Sequence, residues 1–324
     1  MSELRFEDVT IRYGSRRRGM TAADRVDLIV PDGTIVGLVG ESGSGKSTLA
    51  RAAVGLTPVH SGRILLNGQP LQGRSGRRPV QMVFQDPYSS LDPRMSVGDS
   101  ISEAIPRGAD STSRRAEVAR LLELVELDRS RSGSFPAQLS GGQRQRVALA
   151  RALAAGPEVV IADEITSALD VSIQGTVLNL VRDLQRELGM SMLFISHNLA
   201  VVRYVASTIA VMYLGRIVEC GPANQVLIDP QHPYTKDLLA AIPGTEERLM
   251  DEVAQVPEQV AGAETGDPHD PPSGCRYHPR CPIGPLVLPH REICVTTEPT
   301  SEHRHAASCH FASSEAVAPA KNPA

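Results

Sequence analysis

Tryptophan is absent from the chain, and Phe, Trp and Tyr together make up only 3% of it. Leu, Val, Ile and Ala must therefore build the core. No run of about 18 apolar residues occurs, so no membrane-spanning helix is expected. Basic residues are not in excess either. The 33 Lys and Arg face 37 Asp and Glu, for a net charge of −4. The chain as a whole thus offers no basic field for nucleic acid. The opening MSELRFEDVT is charged and has no apolar stretch. No secretory leader is read there, and a cytosolic location is expected. What is present is an ordinary globular composition, 41% hydrophobic and 22% charged, which excludes global disorder. The 324 residues suffice for about two domains.

Five short apolar runs read as buried strands: Ile35 to Val39, Val80 to Phe84, Val159 to Ala162, Met192 to Ile195 and Thr208 to Met212. Helical spacing lies between them. Ile173, Val177, Leu180, Val181, Leu184 and Leu188 recur at steps of three and four, and Gly189 is placed to end that helix. Val118, Leu121, Leu122 and Val125 mark another. Alternation of this kind predicts an α/β fold with a mostly parallel sheet. Residues 1–245 form the main domain, with a helical insert at about 86–155. Residues 246–274, rich in Pro, Gly and acid from Asp251 on, read as a linker. A cysteine-bearing domain at 275–310 follows, and 311–324 is expected to be a frayed tail.

The sharpest motif is Gly40-Glu41-Ser42-Gly43-Ser44-Gly45-Lys46-Ser47-Thr48, which fits G-x-x-x-x-G-K-[ST] between a strand and a helix. Its glycines let backbone N–H groups turn toward phosphate oxygens, and the helix start adds positive potential. Lys46 is placed to reach the β- and γ-phosphates, and the Ser47 hydroxyl to ligate Mg²⁺. A strand ending in Asp163 and Glu164 supplies two carboxylates where parallel sheets bind ligands. Asp163 would hold Mg²⁺ through water, and Glu164 would orient the attacking water. Leu139-Ser140-Gly141-Gly142-Gln143 opens a further helix and makes a second anion-binding start. Two phosphate cradles exceed what one nucleotide requires. A head-to-tail dimer accounts for both, each nucleotide lying between one subunit's Gly40–Thr48 loop and the other's LSGGQ.

Together, Gly40–Thr48, Gln85, LSGGQ at 139–143, Asp163–Glu164 and His197 resemble the ATP-binding cassette (ABC) ATPases, over residues 1 to about 245. The resemblance implies a P-loop, RecA-like nucleotide-binding domain with a helical subdomain. It implies that Tyr13 stacks on adenine, that Gln85 senses Mg²⁺ and the membrane partner, that Ser167 to Asp170 cross a dimer interface, and that His197 contacts the γ-phosphate. Ile165 and Asn198 depart from the family's usual Pro and Asp, which bears on turnover rate. The stretches Gln85 to Met95, Ser167 to Gln174, Met212 to Glu219 and His232 to Pro243 resemble oligopeptide/dipeptide importer ATPases, more the second, F-type subunit than the D-type. That implies a peripheral protein on the cytoplasmic face of the membrane. Its expected partners are a second ATPase subunit, two permeases and an extracytoplasmic substrate-binding protein. Cargo of another kind (nickel, glutathione) and a non-transport cassette are the alternatives.

Cys275, Cys281, Cys294 and Cys309 crowd the end of the chain, with Cys220 alone. A reducing cytosol disfavours disulfides, so four clustered thiols point to metal. Their spread spacing is unlike the close pairs of zinc modules. Four thiolates suit a [4Fe–4S] cluster, with zinc or no metal as alternatives, and His278, His303, His305 or His310 as substitute ligands. The importer ATPases resembled here carry such a cluster on four C-terminal cysteines in some members.

Overall fold

In the computed structural model, residues 2–14, 19–71, 79–86, 90–108, 110–242, 260, 266–301 and 304–312 are described. Most of the expected linker, His303, residues 87–89 of the importer-like stretch, and the tail from 313 lie outside the described residues. Along the chain run β1 (Leu4–Tyr13), β2 (Met20–Val30), β3 (Ile35–Val39), α1 (Lys46–Ala53), β4 (Ser61–Leu66), β5 (Gln69–Pro70), β6 (Val80–Val83), α2 (Val97–Ala104), α3 (Ser111–Leu124), α4 (Gly141–Ala154), β7 (Val159–Asp163), α5 (Val171–Leu188), β8 (Ser191–Ser196), α6 (Leu199–Val205), β9 (Thr208–Tyr213), β10 (Arg216–Pro222), α7 (Ala223–Ile228), α8 (Pro233–Ala240) and the single turn α9 (Ile293–Thr296).

The five apolar runs all become strands of one six-stranded sheet, ordered β10-β9-β3-β8-β7-β6. Every pair from β9 to β6 is parallel, and only β10 returns antiparallel along β9. These strands are apolar on both faces because both faces are covered. Val39, Val160, Phe194 and Val211 join one core, while Leu38, Ile161, Ile195 and Ala210 join the other. Each such Val, Leu, Ile or Phe side chain, fully buried, contributes roughly 1.5–3 kcal/mol. Helices α2 to α6 pack on the first core, and α1 on the second. α5 buries Val177, Leu180, Val181 and Leu184 and ends where Gly189 turns left-handed at φ 60°.

A second, antiparallel sheet, β2-β1-β4-β5, covers the second core. It departs from the expectation of one mostly parallel sheet. The period-2 signal of β1 is broken where the register slips between Phe6 and Val9, with Asp8 at φ 49°. The same irregularity recurs in β2 around Arg25, at φ 49°. The expected helical insert holds α2, α3 and α4, each opened by a side-chain cap: Ser96, Asp110 and Ser140.

Candidate functional site

Parallel strands bring their C-terminal ends to one edge of the sheet. The Gly40–Thr48 loop leaves β3, His197 follows β8, Glu164 follows β7, and Gln85 lies two residues past β6. Since β3, β8, β7 and β6 are neighbours in that order, residues far apart in sequence meet there.

The loop is pressed against its surroundings. Gly45 caps α1 at φ 105°, and a Cβ on it would lie 2.1 Å from the Ala22 carbonyl. Gly40 lies at φ 155°, and its Cβ would come within 2.1 Å of the Met212 carbonyl. Only glycine fits at either position. Lys46 Nζ is buried and donates to Gly40 O at 2.8 Å, Glu41 O at 2.7 Å and Ser44 Oγ at 3.2 Å. Burial lowers its pKa, and the carboxylates of Glu164, Asp163 and Glu41 counter part of that shift. The Ser47 hydroxyl donates to Asp163 Oδ1 at 3.0 Å. Burial raises the Asp163 pKa, opposed by this hydrogen bond and reinforced by the charge of Glu164.

Glu164 is a non-glycine residue at φ 47°, a strained conformation pinned by its amide on Ile195 O at 3.0 Å. Its carboxylate accepts from Gln85 Nε2 at 2.9 Å and faces His197 Nδ1 at 3.4 Å. Ser167 Oγ donates to the Glu164 carbonyl at 2.9 Å and lies 3.4 Å from Gln85 Nε2. Lys46, Ser47, Gln85, Asp163, Glu164, Ser167 and His197 therefore form one polar group. Tyr13, at the end of β1, places its hydroxyl 3.4 Å from Thr48 Oγ1 and leaves its ring half-exposed beside the loop.

Ser140 and Gln143 form a reciprocal capping box at the start of α4. Ser140 Oγ accepts from the Gln143 amide at 3.3 Å, and Gln143 Oε1 from the Ser140 amide at 3.0 Å. A Cβ on Gly142 would lie 2.6 Å from the Ile173 side chain, so α4 packs closely on α5 there. Asp170 stands at the N-cap of α5 without a side-chain cap bond. Among the described residues, no hydrogen bond joins LSGGQ to the Gly40–Thr48 loop of the same chain.

The four C-terminal cysteines line one small cavity with Tyr277, Ile283 and Phe311. Burial pushes the Cys275 and Cys281 thiols up to about 12, and the neighbouring cysteines add to both shifts. Among the described residues, no group of three or more His, Cys, Asp and Glu side chains converges so as to hold a metal ion. Of the substitute histidines, His278 and His310 line the same cavity, each with one ring nitrogen engaged, His278 Nδ1 with Cys275 O at 2.9 Å and His310 Nε2 with Thr297 O at 2.9 Å, while His305 Nδ1 meets Glu219 at 3.3 Å.

This segment is fastened to the nucleotide-binding fold. Tyr277 is buried, its ring centroid 5.2 Å from that of Tyr213 and 5.4 Å from that of Tyr234. Its hydroxyl donates to Asp237. Arg276 donates to Leu214 O and to Asp24. Arg280 pairs with both carboxylate oxygens of Glu41, at 3.0 and 3.1 Å. The Glu41 amide in turn donates to the Tyr234 hydroxyl at 2.8 Å. Sequence reasoning passed over Glu41, Tyr234 and Arg280. Tyr234 stood out only within His232 to Pro243, a stretch that resembles the importer ATPases. His232 caps α8, its Nδ1 accepting from the Tyr234 amide at 3.1 Å.

Residues 23–167 match the family model described as "ABC transporter", and residues 218–284 the one described as "Oligopeptide/dipeptide transporter, C-terminal region". A peptide import ATP-binding protein of Brucella abortus is 45% identical over 284 residues, covering 85% of this chain and 83% of that protein. The chain belongs to the ABC transporter ATPase family. A peptide import ATP-binding protein of Brucella ovis is 42% identical over 295 residues, 89% of this chain and 90% of its own. Among solved structures, the dimeric post-hydrolysis state of an ATP-binding cassette bound to ADP and Pi has a TM-score of 0.61 at 28% identity. It covers 68% of this chain and 98% of its own. The ABC transporter component cbiO1 of Clostridium perfringens has a TM-score of 0.64 at 26% identity, covering 76% and 98%. Among the described residues of this ABC ATPase, no helix is long and apolar enough to cross a membrane.

Proposed function

We propose that this ABC ATPase energises the uptake of di- or oligopeptides, as a peripheral subunit on the cytoplasmic face of the membrane. The observation that carries the reading is the match of residues 218–284 to the oligopeptide/dipeptide transporter C-terminal region, in a chain whose residues 23–167 match the ABC transporter model. Relatives named for peptide import support it along most of the chain. Two permeases, a second ATPase subunit and an extracytoplasmic binding protein complete the assembly.

The geometry supports the following roles. Lys46 exchanges its carbonyl partners for the β- and γ-phosphates, while the backbone amides of Gly43 to Ser47 line the anion. Tyr13 offers its half-exposed ring to the adenine. Ser47, Gln85 and Asp163 would hold Mg²⁺, which supplies charge neutralisation on the phosphates. Glu164, fixed by Gln85 and its strained backbone, orients and polarises the attacking water, and His197 reaches the γ-phosphate from the adjacent strand end. Transfer is in-line and depends on positioning and electrostatics. The locally capped Ser140–Gln143 start serves the partner subunit's nucleotide, with Ser167 and Asp170 at the interface. The test is ATP hydrolysis and uptake of a labelled dipeptide by the co-expressed assembly in vesicles. Peptide-dependent stimulation of both is expected. Uptake of nickel or glutathione with no response to any α-linked di- or oligopeptide would overturn the cargo assignment.

The four-cysteine segment is proposed to carry a [4Fe–4S] cluster on Cys275, Cys281, Cys294 and Cys309. The support is the donor set: four thiols line one small cavity, although among the described residues they do not converge on a metal-holding group. When bound, the cluster would staple a segment with few large apolar residues. Protein purified without oxygen should contain about four iron atoms per chain. Zinc without iron would refute the assignment.

A further inference from the structure

Glu41 is out of place by charge. It is the second residue of a loop built to hold a triphosphate, and a carboxylate there repels the ligand. The structure holds residue 41 in three ways. Its carbonyl accepts from Lys46 Nζ, its amide donates to Tyr234, and both its carboxylate oxygens accept from one nitrogen of Arg280, Nη1. Arg280 lies one residue before Cys281, so its guanidinium arrives only when the cysteine segment is docked. That docking is built in. Tyr277 is buried against Tyr213 and Tyr234, and Arg276 bonds Leu214 O at the end of β9. The ion pair is largely shielded, its side chains 24% and 29% exposed, so solvent screens it incompletely.

We propose that Arg280 is the counter-ion that makes Glu41 tolerable in the phosphate-binding loop, so that docking of the four-cysteine segment sets nucleotide affinity. Arg280 is a positioning residue. It touches the loop rather than the nucleotide, and it acts by cancelling a charge. The proposal rests on the reading of Gly40–Thr48 as the ATP cradle, but not on which metal, if any, the cysteines hold. By reciprocity, nucleotide binding should favour the docked segment to the same degree.

The test is ATP affinity of the full-length chain, measured with a fluorescent ATP analogue and no turnover, for four variants. Arg280→Met leaves Glu41 unneutralised and should weaken binding about three- to tenfold, the scale of a partly shielded charge pair. The defect should shrink as salt is raised. Arg280→Lys keeps the charge and should bind nearly as wild type. Glu41→Gln should bind at least as tightly as wild type, and adding Arg280→Met to it should cost nothing further, because the charge to be cancelled is gone. A purely structural role predicts the opposite for the double variant, which would bind as weakly as Arg280→Met alone. That result overturns the proposal, as does wild-type affinity in Arg280→Met. Lys46→Ala run alongside separates the two readings. If it loses binding, the cradle stands and only the counter-ion is on trial. If it binds normally, the cradle itself fails.

Discussion

Neutralising Glu164 without changing its shape separates its electrostatic role from its packing. In Glu164→Gln the side chain can still meet Gln85 Nε2, now 2.9 Å away, and its backbone stays pinned to Ile195. What disappears is a carboxylate beside His197 and in electrostatic contact with Lys46 and Asp163. Two effects of opposite sign follow. The attacking water loses its orienting base, so steady-state hydrolysis should fall roughly 10²- to 10⁴-fold. The triphosphate meets one negative charge fewer, so ATP should bind as well as wild type or about two- to fivefold more tightly. The assay pairs phosphate release by the assembled transporter with equilibrium binding of a fluorescent ATP analogue. Tight binding with arrested turnover should also accumulate the closed dimer, visible by sedimentation in the presence of ATP. Turnover within threefold of wild type would remove Glu164 from the chemistry. Equal losses of binding and turnover would show instead that the variant had damaged the cradle.

Three further outcomes are expected. Gly40→Ala should destabilise the fold by about 2 kcal/mol or more in denaturant titration, because its Cβ would meet the Met212 carbonyl at 2.1 Å; a change within 0.5 kcal/mol would contradict the packing described. Ser140→Ala removes one half of the capping box and should cost about 0.5–2 kcal/mol of stability, read from chemical denaturation, while isolated-chain ATP binding stays normal; lost ATP binding would place LSGGQ in the same chain's site. His232 is buried, and its pKa is pushed down to about 3. The unfolded chain therefore takes up the proton first, and stability present above pH 6.5 is lost as pH falls toward 3, by at most about 1.4 kcal/mol per unit. Asp237, pushed up to about 6 by burial, works in the opposite sense, losing stability as pH rises through its window. The comparison to make is wild type against His232→Asn, which keeps a cap and leaves Asp237 in place. The variant should lack the acid-side loss that His232 contributes, and identical pH–stability curves would refute it.

The chain's own order of residues determined most of the nucleotide-binding frame. Five apolar runs announce five strands because a strand buried on both faces has no polar alternation to hide it. Gly189 and the capping residues mark helix ends through local backbone chemistry. The loop at Gly40–Thr48 and the acids at 163 and 164 are legible because their function needs contiguous residues. Long-range placement was not legible in this way. The antiparallel sheet escaped because bulges near Asp8 and Arg25 break the alternation that would reveal its strands. The meeting of Gln85, Glu164 and His197 follows from strand order, which no local pattern encodes. The pairing of Glu41 with Arg280 spans 239 residues and crosses the boundary expected between two domains. A charge in a loop and a charge beside a cysteine each read alone as solvated. Only the docking of Tyr277 among Tyr213 and Tyr234 brings them together, because burial of those rings decides where Arg276 to Arg280 come to rest.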